Sequence, residues 1–152
     1  MSKPQILLVS YATLITMKGW DEFVSEYIEE TADPELPSPG AQDERYLELD
    51  ANGDIRVIAV VDDEELVGVA ILLIAKSQHY PFPIVSTDSI YLRKPWRHGR
   101  TGIDLIGAMK ALAKRIGSPG LTFMAPPDGK LDRLCKALGA KHIRNCWWLG
   151  DE

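Results

Sequence analysis

The first patterned stretch runs from Gln5 to Ala12, where Ile6, Leu7, Leu8 and Val9 follow one another without a charge. A short apolar run of that kind predicts a strand. Trp20, Phe23, Val24, Tyr27 and Ile28 then fall at i, i+3, i+4, i+7 and i+8, with Asp21, Glu22, Glu26, Glu29 and Glu30 on the other side. That spacing predicts an amphipathic helix. Asp33-Pro34-Glu35-Leu36-Pro37-Ser38-Pro39-Gly40 reads as an irregular loop, because each proline restrains the backbone and removes a donor. A short helix is expected over Asp43 to Leu49, and Asn52-Gly53 signals a turn.

Two strands, Ile55 to Val61 and Leu66 to Ala75, flank the acidic turn Asp62-Asp63-Glu64-Glu65 and predict an antiparallel hairpin. A fourth strand is expected over Ile84 to Leu92, after a loop from Ser77 to Pro83. Ile103, Ile106, Met109, Leu112, Ala113 and Ile116 form the stripe of a strong helix that ends at Gly117. Leu121 to Met124 reads as a short strand, Gly129 to Leu138 as a helix stopped by Gly139, and Lys141 to Leu149 as a last strand. In that strand Trp147 and Trp148 would point to opposite faces, one into the core and the other free for a homodimer or partner contact. The order is an α+β (mixed α/β) fold, a mixed sheet with helices on its faces. The antiparallel run in its middle argues against a doubly wound nucleotide fold.

Length and composition change this picture little. At 152 residues, 45% hydrophobic and 26% charged, the chain is expected to form a single domain over 1–152 with a core of its own. Two cysteines make no disulfide framework, so a reducing compartment is expected. The N-terminus has no charged leader, and the longest apolar stretch, Leu66 to Ala75, is too short for a membrane span. A soluble cytoplasmic protein is the expectation. Cys135, His142 and Cys146 lie at C-x6-H-x3-C, which matches no compact zinc site, and no metal is expected.

Charge is distributed unevenly. Residues 1–76 hold 16 acids and 5 bases, a net −11, and residues 77–152 hold 6 acids and 12 bases, a net +6. Either the two halves serve an anion and a cation separately, or they neutralise each other across a packed interior. Nucleic acid is not an expected partner, since the overall charge is −5 and no basic and aromatic residues interleave.

The most informative segment runs from residue 84 to 116, where a strand, a turn of Arg97-His98-Gly99-Arg100-Thr101-Gly102 and a helix follow directly. A helix start points several unpaired amides at one spot, and the helix dipole favours negative charge there. Glycines permit close approach, and Arg97 and Arg100 bring charged donors. The segment is either a pyrophosphate cradle or a solvated turn whose glycines serve the backbone.

Residues 90–106, from Ile90 to Ile106, resemble motif A of the GNAT N-acetyltransferase superfamily, in which Q/R-x-x-G-x-G/A follows a strand and opens a helix. Arg97 matches its first position, Gly102 its last, and Leu105-Ile106 the helical pair, while Arg100 replaces the middle glycine. The version here is similar to divergent, phage-encoded members. Leu134-Cys135-Lys136-Ala137-Leu138-Gly139-Ala140 resembles the family's C-terminal L-Y-x-x-x-G-F element, with Cys135 at the tyrosine position.

The resemblance implies a central, mostly antiparallel mixed sheet, splayed between the fourth and fifth strands to hold acetyl-CoA as acyl donor. Backbone groups of Ile90, Tyr91 and Leu92 would pair with the pantetheine arm. The amides of His98, Gly99, Arg100, Thr101 and Gly102 would hold the pyrophosphate, with the Arg97 and Arg100 side chains assisting. Lys110, Lys114 or Arg115 would either reach the adenosine phosphate or lie in solvent. Direct transfer needs an oxyanion donor, for which the strand amide near Ile90 or Tyr91 is suited, and a base, for which Asp88 is the first candidate and His79 the second. Cys135 falls where the family places the acid that protonates the leaving thiolate; Tyr80 or Tyr91 would be its substitute.

Two classes of function follow. One is an acetyl-CoA-dependent N-acetyltransferase acting on a primary amine of a small molecule or protein, drawn in by the acids between Asp21 and Asp43. The other is a catalytically inactive structural or host-interaction protein of the same fold, in a phage particle or the host cytoplasm. A filled cleft would favour the second, an open one the first.

Overall fold

Two strands joined by a two-residue turn organise the sheet: β2 (Ile55–Asp62) and β3 (Glu65–Ala75). Asp63 and Glu64 at the turn both take left-handed backbone angles, φ 51° and 65°, whose twist suits a tight hairpin. β1 (Gln5–Val9) pairs antiparallel with β2, and β4 (Ile84–Leu92) pairs antiparallel with β3. β5 (Leu121–Thr122) runs parallel to β4 and meets it only at Val85 and Ser86. The order β1-β2-β3-β4-β5 is a mixed, mostly antiparallel sheet, as the sequence pattern predicts. This computed structural model describes residues 3–33, 36 and 42–151.

Both faces of the sheet are covered, which explains the near-continuous apolar runs of β2 and β3. On one face Val57, Ala59, Val69, Ile71 and Tyr91 pack with Tyr11, Leu14 and Phe23. These come from α1 (Tyr11–Leu14) and α2 (Trp20–Thr31), and α3 (Asp43–Ala51) adds Tyr46 and Leu49. Strand alternation turns Ile58, Val60, Ala70 and Leu72 to the other face, where α4 (Thr101–Ile116) packs on β3. Leu105, Ile106, Met109, Leu112 and Ala113 are its buried stripe.

Several elements depart from the pattern read along the chain. β1 stops at Val9 because Ser10 caps a helix, its hydroxyl accepting from the Thr13 amide at 3.1 Å. Ile103, placed in the α4 stripe by spacing, is 41% exposed, since the first turn runs ahead of the packed part of the helix. β5 is two residues long rather than four. The chain divides into two compact units, Met1–Thr122 and Phe123–Glu152. The second contains α5 (Lys130–Ala137), and residues 140–150 after it take no regular conformation, where a last strand was expected. Alternation alone does not make a strand; a ladder partner does. Trp147 and Trp148 are both exposed. The proline loop lies largely outside the described residues.

Two arginines tie α2 to the end of β4. Arg93 donates from Nε and Nη2 to the two carboxylate oxygens of Glu26 at 2.9 and 2.7 Å, and its Nη1 lies 3.6 Å from Glu65. Arg97 donates from Nη1 and Nη2 to Glu30 at 2.6 and 2.7 Å and from Nε to the Leu92 carbonyl at 2.6 Å. Between them Trp96 donates from Nε1 to Asp62 at 2.7 Å, and the Arg93 guanidinium sits 5.7 Å from its ring centroid. Here the acidic first half and the basic second half meet and neutralise each other.

The clasp sets a pH dependence. Hydrogen bonds from Arg97, and then from Tyr91, lower the Glu30 carboxyl from 4.5 to about 2 against the opposing effect of burial. The folded value lies below the ordinary one, so this stabilisation is complete above about pH 4.5 and disappears as pH falls towards 2. Replacing Glu30→Gln or Arg97→Ala should each lower stability by about 2 kcal/mol in urea titrations at pH 7. The double variant should be less destabilised than the sum, and Glu30→Gln should flatten the acid limb. A second expectation concerns the close approach of β2, β3 and β4. A Cβ on Gly68 would meet Leu92 Cδ1 at 2.8 Å and Val60 Cγ2 at 3.0 Å, so Gly68→Ala should lower the stability read from urea unfolding by about 1–3 kcal/mol through overpacking.

Candidate functional site

The site begins with a fault in the β3–β4 ladder. Ile71 faces Ser89 and Leu72 faces Thr87, so Asp88 is an extra residue in β4. A bulge bends its strand and re-aims side chains. Asp88, Ser89 and Tyr91 thus all line one cleft of about 810 Å³, beside Val69 and Ile71 of β3. The opposite walls come from the three short helices: Tyr11, Trp20, Phe23, Tyr27 and Tyr46. The rings brace one another. Tyr11 stacks on Tyr46 with centroids 4.9 Å apart, and Tyr91 meets Phe23 and Tyr27 edge-on at 5.3 and 5.6 Å.

The hydroxyls of Tyr11, Tyr46 and Tyr91 are directed at carboxylates. Tyr46 donates its hydroxyl to Asp88 Oδ2 at 2.6 Å, and Ser89 donates to the same oxygen at 3.1 Å. Oδ1 takes no hydrogen bond among the described residues. Tyr11 donates to Asp43 at 2.7 Å, and Tyr91 to Glu30 at 2.7 Å. Burial first, and then the bond to Asp88, pushes the Tyr46 phenol well above its ordinary value. Burial and the Glu30 carboxylate push Tyr91 up to about 12. At neutral pH these phenols remain protonated and serve as donors.

Beyond the bulge, β4 leaves its second neighbour. Only Val85 and Ser86 pair with β5, while Ser89 to Leu92 continue along β3. The Arg93 amide donates to the Val67 carbonyl, and antiparallel alternation then turns the amide and carbonyl of Ile90 away from β3. The Leu92 carbonyl, turned the same way, is taken by Arg97 Nε.

The turn into α4 carries no side-chain cap, and the first-turn amides have no acceptor within the helix. Gly99 has φ 81°, and a Cβ on Gly99 or Gly102 would meet nothing within 4 Å. The space in front of the amides is open. Arg100 is largely exposed, with Nε 3.9 Å from Asp104. The Arg97 guanidinium instead lies 5.1 Å from the Tyr91 ring centroid and is engaged by Glu30. Further along α4, Lys110 and Lys114 line a hollow of about 400 Å³ with Ser118, Pro119 and Gly120.

The structure therefore places Asp88 in the cleft and Ile90 to Leu92 on the adjoining strand, with His98 to Gly102 at the helix start. Arg97 bonds to α2 rather than standing free at the turn. His79, the second candidate base, lies in the loop before β4, its amide donating to Ser77, and Tyr80 stacks on Phe82. Cys135 belongs to the second unit, on α5, where burial and Asp132 push its thiol up. Among the described residues no group of three His, Cys, Asp or Glu could hold a metal. None of their helices is long and apolar enough to cross a membrane. Sequence reasoning missed Tyr46 and Tyr11 as site residues. Tyr46 is marked locally only as an aromatic residue in a short, otherwise polar stretch, Tyr11 falls at the end of an apolar run, and the Tyr46–Asp88 bond spans 42 residues.

No family model matches the chain, and no curated protein matches it. Solved structures do. A ribosomal-protein-alanine N-acetyltransferase from Brucella melitensis biovar Abortus 2308 is 16% identical over 99% of both chains, with a TM-score of 0.70. An aminoglycoside acetyltransferase from an uncultured soil metagenomic sample, in complex with sisomicin, is 14% identical over 98% of this chain and 97% of that one, with a TM-score of 0.68. The aminoglycoside N-acetyltransferase AAC(6')-Iy in complex with CoA is 14% identical over 99% and 96%, with a TM-score of 0.70. At these identities the likeness is one of backbone arrangement. The splayed β4, the mixed sheet and the neighbours agree on one result: this chain has the fold of the GNAT N-acetyltransferases.

Proposed function

We propose that the protein is a cytoplasmic, acetyl-CoA-dependent N-acetyltransferase that moves an acetyl group to a primary amine by direct transfer. The observation that carries this reading is the bulged Asp88, set in an open cleft beside an unpaired stretch of β4. The residues fit acetyl-CoA. The α4 start offers uncapped amides with open space at Gly99 and Gly102, as a pyrophosphate requires. Arg100 is exposed and can add charge, and the Ile90 to Leu92 backbone can align the pantetheine arm. Lys110 and Lys114 suit the adenosine phosphate. Bound acetyl-CoA would supply the acetyl group as a thioester.

The chain's own groups divide the remaining work. Asp88 Oδ1 receives the proton that an ammonium must lose before it can act as a nucleophile, directly or through one water. Tyr46 and Ser89 hold the other carboxylate oxygen and so fix the orientation of Asp88. The Ile90 amide is a fixed donor for developing negative charge. Arg97 acts by shaping the turn, since Glu30 takes its guanidinium. Cys135 is proposed as the acid; its raised thiol pKa keeps it protonated at neutral pH. The second reading is a fold without catalysis, serving a phage particle or binding a host protein. It expects the space above the Arg97–Gly102 turn to be filled, and the room at Gly99 and Gly102 supports transfer instead.

Calorimetry with acetyl-CoA tests the donor site. Binding at micromolar concentration is expected, weakened by about tenfold or more in Gly102→Val, a position where an added Cβ meets nothing within 4 Å. Absence of binding at millimolar acetyl-CoA overturns the reading. With an accepted amine, Asp88→Asn should lower kcat by about 10²-fold or more.

A further inference from the structure

The cleft also restricts the acceptor, and this inference rests on the acetyl-transfer reading above. Three of its tyrosines, Tyr11, Tyr46 and Tyr91, donate their hydroxyls to carboxylates. Tyr46, with Tyr27 beside it, is half-buried and turns ring surface to the cleft, while Tyr11 and Tyr91 are buried behind it. Three of the acids expected to draw in a cation are engaged by this chain itself: Glu26 and Glu30 of α2 are bound by Arg93 and Arg97, and Asp43 accepts from Tyr11. Among the described lining residues the carboxylates are Asp88 on the sheet and Asp33 beyond α2, and Arg45 adds a positive charge.

Such a cleft recognises one positive charge attached to an apolar body. An ammonium gains from a carboxylate oxygen and from aromatic faces, and a ring gains from offset or edge-on packing. A sugar amine with several hydroxyls and ammonium groups would leave most of them without partners, and an unpaired buried polar group is costly. A volume of about 810 Å³ accommodates a ring and a short linker with room to spare.

We propose that the acceptor is a monoamine carrying an aromatic or similarly apolar body, of the arylalkylamine class, with its ammonium at Asp88 Oδ1 and its body between Tyr27, Tyr46 and Tyr91. Asp88 then recognises the amine before it serves as its base. Specificity comes from the aromatic faces beside Asp88, which favour an apolar body on the amine over a chain of further ammonium or hydroxyl groups, rather than from a steric block.

The test uses the full chain and separates recognition from transfer. Calorimetry without acetyl-CoA compares 2-phenylethylamine with 2-phenylethanol, spermidine and kanamycin, on the wild type and Asp88→Asn. The amine should bind at least tenfold more tightly than spermidine or kanamycin. Asp88→Asn should weaken the amine at least tenfold and leave the neutral alcohol unchanged. In turnover with acetyl-CoA, kcat/KM for 2-phenylethylamine should exceed those of spermidine, kanamycin and an alanine-terminated peptide by tenfold or more. Turnover favouring any of those three overturns the acceptor class and leaves acetyl transfer standing. Asp88-dependent binding of 2-phenylethylamine with no turnover of any amine leaves the recognition site standing and overturns acetyl transfer. Equal binding of amine and alcohol to the wild type overturns the proposed role of Asp88 in recognition.

Discussion

The bonds between α2 and the end of β4 are the constraint on which the rest of the site depends. Arg93 grips Glu26 and Arg97 grips Glu30, each through paired hydrogen bonds, four residues apart on both partners. That equal spacing holds the helix along the strand end. It fixes one wall of the cleft, because Phe23 and Tyr27 lie on the same helix and close against Tyr91. It also fixes the approach to α4, because Arg97 Nε holds the Leu92 carbonyl from the far side of the turn. A fork-shaped guanidinium suits this use, since a single side chain can satisfy a carboxylate and a carbonyl together.

A second constraint is the bulge. Without the extra residue, Asp88 would point to the face opposite Ser89 and Tyr91, towards α4 and the second core. With it, a charged side chain joins an otherwise apolar cleft, and Tyr46 and Ser89 satisfy one of its oxygens. The same region of β4 is where the pairing with β5 has already ended. One irregular strand thus supplies a carboxylate on one side and free backbone groups along its edge. The two cleft features that acyl transfer to an amine would need lie within a few residues of one another on β4.

The aromatic packing belongs to both stability and recognition. Tyr11 is fully buried; it stacks on Tyr46 and holds α3 through Asp43 and, by its amide, Asp50 at 2.8 Å. These contacts place Tyr46 over β4, where it bonds Asp88. Core packing on one side of the ring system therefore sets the geometry of the cleft on the other.

Much of the fold was legible along the chain, because each element meets a local condition. The Leu66 run and the Asp63-Glu64 turn specify a hairpin, the i, i+3, i+4 stripe of α2 specifies a covered face, and Gly117 in a left-handed conformation ends α4. The strand, turn and helix from Ile84 to Ile116 are legible for the same reason, being one continuous stretch of chain. Asp88 could be named as a carboxylate in a strand, but not as a bulged one, because register is decided by β3. The local pattern assigns Arg97 to help hold a phosphate, whereas its guanidinium bonds to Glu30, 67 residues away. Spacing put Ile103 inside and a strand over Lys141 to Leu149, and neither is found, since burial and pairing depend on a neighbour that the local pattern does not contain. The sequence by itself determined most of the elements, their order up to α5 and the uncapped helix start. Only the tertiary structure decided which charges cancel, which way Asp88 faces and which rings surround it, because those outcomes are contacts between residues far apart in the chain.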